Sequence, residues 1–151
     1  MIKFFDLHRQ DKALFKYFLK DLKSLLKKND YILGNSVKKF EEKFSKFCGS
    51  KYSIGVANGT DALTLALKAL NLKEGSEVII PAMTYCSTAF AVINANLKPV
   101  LVDIESNSPL IAVDKIKKKI NSKTKVIMPV HLYGSVVDID KKKKIIKKKS
   151  I

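Results

Sequence analysis

The chain has 151 residues, 46% of them hydrophobic, with only six glycines and four prolines, a composition that fits one folded core and excludes a disordered or fibrous chain. Its formal net charge of +15 comes from 29 basic against 14 acidic residues. Arg9 is the sole arginine, and because paired recognition of phosphates and base edges favours the arginine fork, this charge is weak support for a nucleic-acid partner.

Lysines at 115, 117–119, 123 and 125 and in the runs 141–144 and 147–149 read as solvated helix faces, with a basic nucleic-acid surface as the alternative. No apolar run approaches the roughly 18 residues of a membrane span, and no signal-like segment follows the start, so a cytoplasmic location is expected. Cys48 and Cys86 sit in unrelated contexts and the two histidines lie far apart, which predicts reduced thiols and no metal site.

Taken in chain order, Leu14, Phe18, Leu22 and Leu25 or Leu26 recur at helical spacing between lysines, predicting an amphipathic helix over about 11–28 that ends near Asn29. Residues 31–34 form a short apolar connector. Asn35 or Ser36 is placed to cap a second helix whose face carries Val37, Phe40, Phe44 and Phe47, and Gly49 to terminate it. Beyond residue 50, β-branched and apolar runs at 52–57, 77–80, 99–104 and 125–130 alternate with helical stretches near 61–71, 86–95 and 112–120. That alternation predicts right-handed βαβ crossovers and a mostly parallel sheet, so the fold class is α/β with N-terminal helices before the sheet.

Ligands on such sheets bind outside the carboxyl ends of the strands. The loop Asn58-Gly59-Thr60 and the loop Pro81-Ala82-Met83-Thr84-Tyr85 each follow a predicted strand, so both should line one edge. Gly59 lets the backbone turn and a ligand approach; the amides of Thr60 and Asp61 and the Thr60 hydroxyl offer donors to an anion at a helix start. Tyr85 offers a flat face beside them. The same residues also read as an ordinary turn with an N-cap, and Tyr85 as a core aromatic. Neither GxxxxGK[ST] nor GxGxxG occurs, so the standard phosphate loops of nucleotide-binding proteins are absent.

Six ordered stretches resemble the sugar aminotransferases of the DegT/DnrJ/EryC1/StrS family: Phe5-Asp6-Leu7, Tyr31-Ile32-Leu33-Gly34 with Phe40-Glu41, Gly55-Val56-Ala57-Asn58-Gly59-Thr60-Asp61-Ala62-Leu63, Glu77-Val78-Ile79-Ile80-Pro81, Pro99-Val100-Leu101-Val102-Asp103-Ile104 and Pro129-Val130-His131-Leu132-Tyr133-Gly134. The resemblance implies a pyridoxal 5'-phosphate enzyme of aspartate aminotransferase fold type I. On that basis 1–50 is an N-terminal helical segment and 51–151 an incomplete cofactor-binding large domain. It implies that Gly59, Thr60 and Asp61 hold the cofactor phosphate and Tyr85 stacks on its ring, while His131 and Tyr133 border the sugar site or are merely structural. A cationic ring suits an aromatic face and a dianion a helix start.

The implied reaction is transamination of a nucleotide-linked keto sugar, with glutamate as donor and a homodimer at full length. It requires a Schiff-base lysine and an acid paired with the pyridine nitrogen. In the family these lie in a Ser/Thr-Lys region and a Glu-Asp-Ala-Ala segment, neither of which is in this sequence. The expectation is therefore an N-terminal fragment, inactive and poorly folded alone, cut short at a lysine-rich coding run prone to a slipped frame. An inactive remnant that keeps a phosphate-binding module and a basic nucleic-acid-binding protein are the alternatives.

Overall fold

In the computed structural model, the described residues are 4, 6, 9, 11–29 and 31–140. Phe5, Leu7 and the lysine runs at 141–144 and 147–149 lie outside them. The chain divides into two compact units between Gly55 and Val56.

The first unit contains α1 (Phe15–Lys28) and α2 (Asn35–Cys48). α1 begins four residues later than the apolar spacing predicts, since Leu14 occupies the N-cap position, and it ends at Asn29 in the left-handed conformation. Asparagine tolerates that region because its short amide can bond locally. At the start of α2 the expected Asn35 or Ser36 cap does not form: Gly34 holds the N-cap position and no side chain accepts a helix amide there. Gly49 terminates the helix as expected, at φ 66°, with its amide donating to the last carbonyls. Phe40 and Phe44 stack at 5.5 Å, and Phe47 lies 6.3 Å from Phe44, so the predicted aromatic face is real.

No strand forms at 52–57. A strand needs a neighbouring ladder for its amides, and here the Gly55 amide donates instead to the Glu41 carboxylate at 2.6 Å. Tyr52 and Ile54 are consequently exposed.

The second unit runs α3 (Gly59–Ala69), β1 (Glu77–Pro81), α4 (Ser87–Asn94), β2 (Lys98–Val102), α5 (Val113–Lys119) and β3 (Thr124–Ile127). The three strands are parallel in the order β2-β1-β3. All five residues of the central β1 are buried, as a strand covered on both faces must be. The chain leaves β1 in one direction for β2 and returns past it for β3; two crossovers of the same hand but opposite direction place their helices on opposite faces. Two separate cores result. Val78 and Ile80 pack with Leu67, Ala91 and Val92 on the α3–α4 face, whereas Ile79 packs with Val102, Ile111, Ile116 and Val137 on the α5 face. A bulge between Glu77 and Val78 aligns Val126 with Val78 and Ile127 with Ile79, and the intervening Lys125 remains exposed.

At the opposite end from the strand carboxyl termini, Glu77 ties the sheet together. Its carboxylate accepts from Asn121 Nδ2 at 2.7 Å and lies 3.6 Å from Lys98 Nζ, and its amide donates to the Lys123 carbonyl at 2.8 Å. At the far end of β2, Asp103 accepts from Lys115 Nζ at 2.6 Å and from the Ile104 amide at 2.8 Å. Those two hydrogen bonds and the lysine charge hold the Asp103 carboxyl below its ordinary range.

Removing a buried acceptor leaves its donors unpaired, so Glu77→Ala should lower the unfolding free energy by about 1–3 kcal/mol in urea titrations. Lys98→Met should change it by less than about 1 kcal/mol, because that ammonium is largely solvated. Losses of equal size would place the weight on the ion pair instead. For Asp103, the folded state favours the charged form; its contribution is complete above the usual aspartate range and disappears as pH falls through the depressed value. A carboxyl NMR titration should therefore show a low midpoint for Asp103 that rises in Lys115→Met, and an unmoved midpoint would rule out this pairing in solution.

Candidate functional site

The two loops singled out in the sequence do converge, although only one of them follows a strand. Because α3 and α4 share a face of the sheet and pack against each other, their N-terminal ends stand together beside the carboxyl end of β1. The Thr60 hydroxyl donates to the Ser87 hydroxyl at 2.8 Å across the junction. Asn58, Gly59, Thr60, Leu63, Tyr85, Ser87 and Thr88 line a cleft of about 610 Å³ there.

Each wall has a local cause. Asn58 is extended and caps α3 through its side chain: Oδ1 accepts the Asp61 amide at 2.9 Å while Nδ2 donates to Asp61 Oδ2 at 2.9 Å. This reciprocal arrangement satisfies one of the helix's orphan amides and places a carboxylate in the first turn, where the helix dipole favours it. Gly59 is the first residue of the helix and is not among the residues with positive φ, so no turn requires a glycine there. A Cβ at Gly59 would meet no atom within 4 Å. What glycine provides is open space at the helix start.

On the other wall, the Thr84 and Thr88 hydroxyls lie 2.9 Å apart, and the Thr88 amide donates to the Tyr85 carbonyl at 3.0 Å. Tyr85 is thereby held in a tight turn, and the residue is 74% exposed.

Asp61 is placed differently from its neighbours. It lines a smaller, separate cleft with Val56, Ala57, Thr64, Leu65 and Lys68. Both its amide and its carboxylate are engaged by Asn58. His131 and Tyr133 do not line the Thr60–Tyr85 cleft either. β3 ends at Ile127, short of the predicted 130, and the residues that follow turn back on themselves: His131 Nδ1 accepts the Val137 amide at 3.0 Å, and Val137 is buried in the core on the α5 face. Tyr133 is left-handed at φ 51° and exposed.

The N-cap that the sequence offered as the plain reading of this turn does form, at Asn58, whereas Ser87 and Thr88 as part of the wall were not foreseen. The signal for Ser87-Thr88 was a hydroxyl pair at the start of the helix after Tyr85. Among the described residues, no group of three or more His, Cys, Asp or Glu could hold a metal ion, and no helix is long and apolar enough to cross a membrane.

The model of the DegT/DnrJ/EryC1/StrS aminotransferase family matches residues 13–151. The chain belongs to this family. It is 43% identical over 148 residues to the dTDP-3-amino-3,6-dideoxy-alpha-D-galactopyranose transaminase of Aneurinibacillus thermoaerophilus, covering 98% of this chain and 41% of that protein. Among solved structures, DesV of S. venezuelae superposes with a TM-score of 0.91 at 31% identity, over 99% of this chain and 40% of that one. GDP-4-keto-6-deoxy-D-mannose-3-dehydratase of E. coli, determined with bound hydrated PLP, gives 0.81 at 32% identity, over 88% and 36%. The chain thus spans about two fifths of the length of these family members.

Asn58 makes the local geometry testable without any ligand. Loss of a side-chain N-cap costs about 1 kcal/mol, so Asn58→Ala should lower the thermal midpoint by several degrees while Asn58→Ser, which keeps an acceptor without setting a second carboxylate against Asp61, should lose less. Equal losses would show that the bond to the Asp61 amide is not what stabilises the helix start.

Proposed function

We propose that this chain forms the phosphate-gripping part of a pyridoxal-phosphate enzyme that transfers an amino group, with glutamate as donor, to a keto sugar linked to a nucleotide. The observation that carries the reading is the convergence of the α3 start, Ser87 and Tyr85 on one cleft, in a chain of this family. The transaminase activity named for the similar protein of Aneurinibacillus thermoaerophilus supports the reaction class.

The residues present fit the cofactor. A phosphate dianion needs several donors and no bulk at its approach; the first turn of α3 supplies amides without intrahelical acceptors, Gly59 leaves the space, and hydroxyls from both helices face each other beside it. The Tyr85 ring is exposed on the adjoining wall, where it can lie against a flat cationic ring. Asp61 acts indirectly in this reading, by fixing Asn58 and the pitch of the first turn. His131 and Tyr133 lie outside this cleft and keep only the proposed place at the border of the sugar site.

When bound, the cofactor supplies the electron sink for amino exchange. This chain's own residues orient it. The cap fixes the direction of the α3 amides, and the Thr84–Thr88 pair fixes the turn that presents Tyr85. Proton transfer and pairing with the ring nitrogen fall, in the family pattern, to the Ser/Thr-Lys and Glu-Asp-Ala-Ala segments that these 151 residues do not include. The chain alone is therefore a binder without turnover.

Equilibrium dialysis against pyridoxal 5'-phosphate and against pyridoxal tests this. Even one charge-assisted hydrogen bond to the phosphate predicts a preference of about tenfold or more for the phosphorylated form. Addition of glutamate should leave the bound cofactor's absorbance unchanged. Equal affinities for the two forms would remove the phosphate reading.

A further inference from the structure

The sequence suggests that Thr60 donates its hydroxyl proton to a ligand, but the structure commits that proton elsewhere. A threonine hydroxyl has one proton to give. Thr60 Oγ1 gives it to Ser87 Oγ at 2.8 Å, across 27 residues of sequence. The Ser87 oxygen, accepting that bond, retains its own proton for another acceptor.

We infer that Ser87 is the hydroxyl donor to the cofactor phosphate, and that Thr60 is a positioning residue that aims it. This rests on the proposed phosphate-binding role of the cleft. Four observations support it. Ser87 and Thr60 both line the cleft, so the donor faces the space that Gly59 leaves open. Ser87 is the first residue of the eight-residue α4, so its hydroxyl and its first-turn amide issue from one place. Thr60 is half-buried and its carbonyl is held by the Thr64 hydroxyl at 2.9 Å, which gives the aiming residue little freedom. The Thr84–Thr88 bond brackets Ser87 from both sides and fixes the α4 start relative to Tyr85. A phosphate here therefore meets donors from two helices tied together by a hydroxyl–hydroxyl bond. Acceptance from Thr60 also polarises the Ser87 hydroxyl and strengthens its donation.

Dissociation constants of the full 151-residue chain for pyridoxal 5'-phosphate and pyridoxal, measured by equilibrium dialysis, distinguish the roles. Ser87→Ala should weaken pyridoxal 5'-phosphate about tenfold and leave pyridoxal unchanged, a selectivity that a general loosening of the fold would not produce. Ser87→Thr should restore most of the loss. Thr60→Val should cost less than about threefold, and adding it to Ser87→Ala should cost nothing further, because the aimed group is already gone. A large effect of Thr60→Val beside a silent Ser87→Ala, or additive losses in the double variant, would overturn the assignment. If the unsubstituted chain binds both forms equally, the phosphate reading itself fails and the assignment falls with it; if it discriminates and Ser87→Ala is silent, only the assignment fails. Should Ser87→Ala not fold by far-ultraviolet circular dichroism, Thr60→Val decides alone: a loss below about threefold supports Ser87 as donor and a larger one overturns it.

Discussion

The second unit depends on β1 being paired on both edges and covered on both faces. Five consecutive buried residues, Glu77 to Pro81, leave no position of that strand in water, so every backbone group along it must find a partner in β2 or β3 or in a flanking loop. Glu77 is the only carboxylate in the run, and it is tolerated because Asn121 and Lys98 reach it from the two neighbouring strands' approaches. The helices follow from the same strand. Alternate side chains point to opposite faces, which fixes α3 and α4 above one set and α5 above the other.

The cleft is a by-product of that arrangement before it is a binding site. Two helices on one face of a parallel sheet begin at the same sheet edge, because each follows a connection that ends there. Their orphan amides gather without any special loop. The particular residues then add what geometry cannot: a side-chain cap that orients the first turn of α3, a glycine that leaves open space beside it, and a hydroxyl bridge that holds one helix start to the other.

Much of this was legible in the sequence, and the exceptions have physical reasons. Element types at 77–80, 86–95 and 112–120 were readable because burial on both faces produces unbroken apolar runs and helical spacing. The run at 52–57 carries the same composition as a strand, but pairing is not a property of the segment itself, and Glu41, fourteen residues away, takes the Gly55 amide. Gly34 as the N-cap of α2 was hidden by two better capping residues directly after it. At the site, Gly59, Thr60 and Tyr85 were visible as a loop pair, whereas Asp61 looked identical in kind to Thr60 and is separated from it only by the direction in which a helix turns successive side chains. Ser87 drew no notice, since a serine at a helix start reads as an ordinary cap until its partner in another helix is known.

The division of β1 between two cores has a bearing on how such a chain changes over generations. Ile79 answers to α5 and Val137, while Val78 and Ile80 answer to the helices that carry the cleft. Substitutions with no shared partners act nearly independently. The α5 side can therefore drift in size and shape, exchanging one aliphatic residue for another, while the spacing between Thr60 and Ser87 is left untouched. An aliphatic exchange at Ile79 is felt first by α5 and Val137, on the face turned away from the cleft.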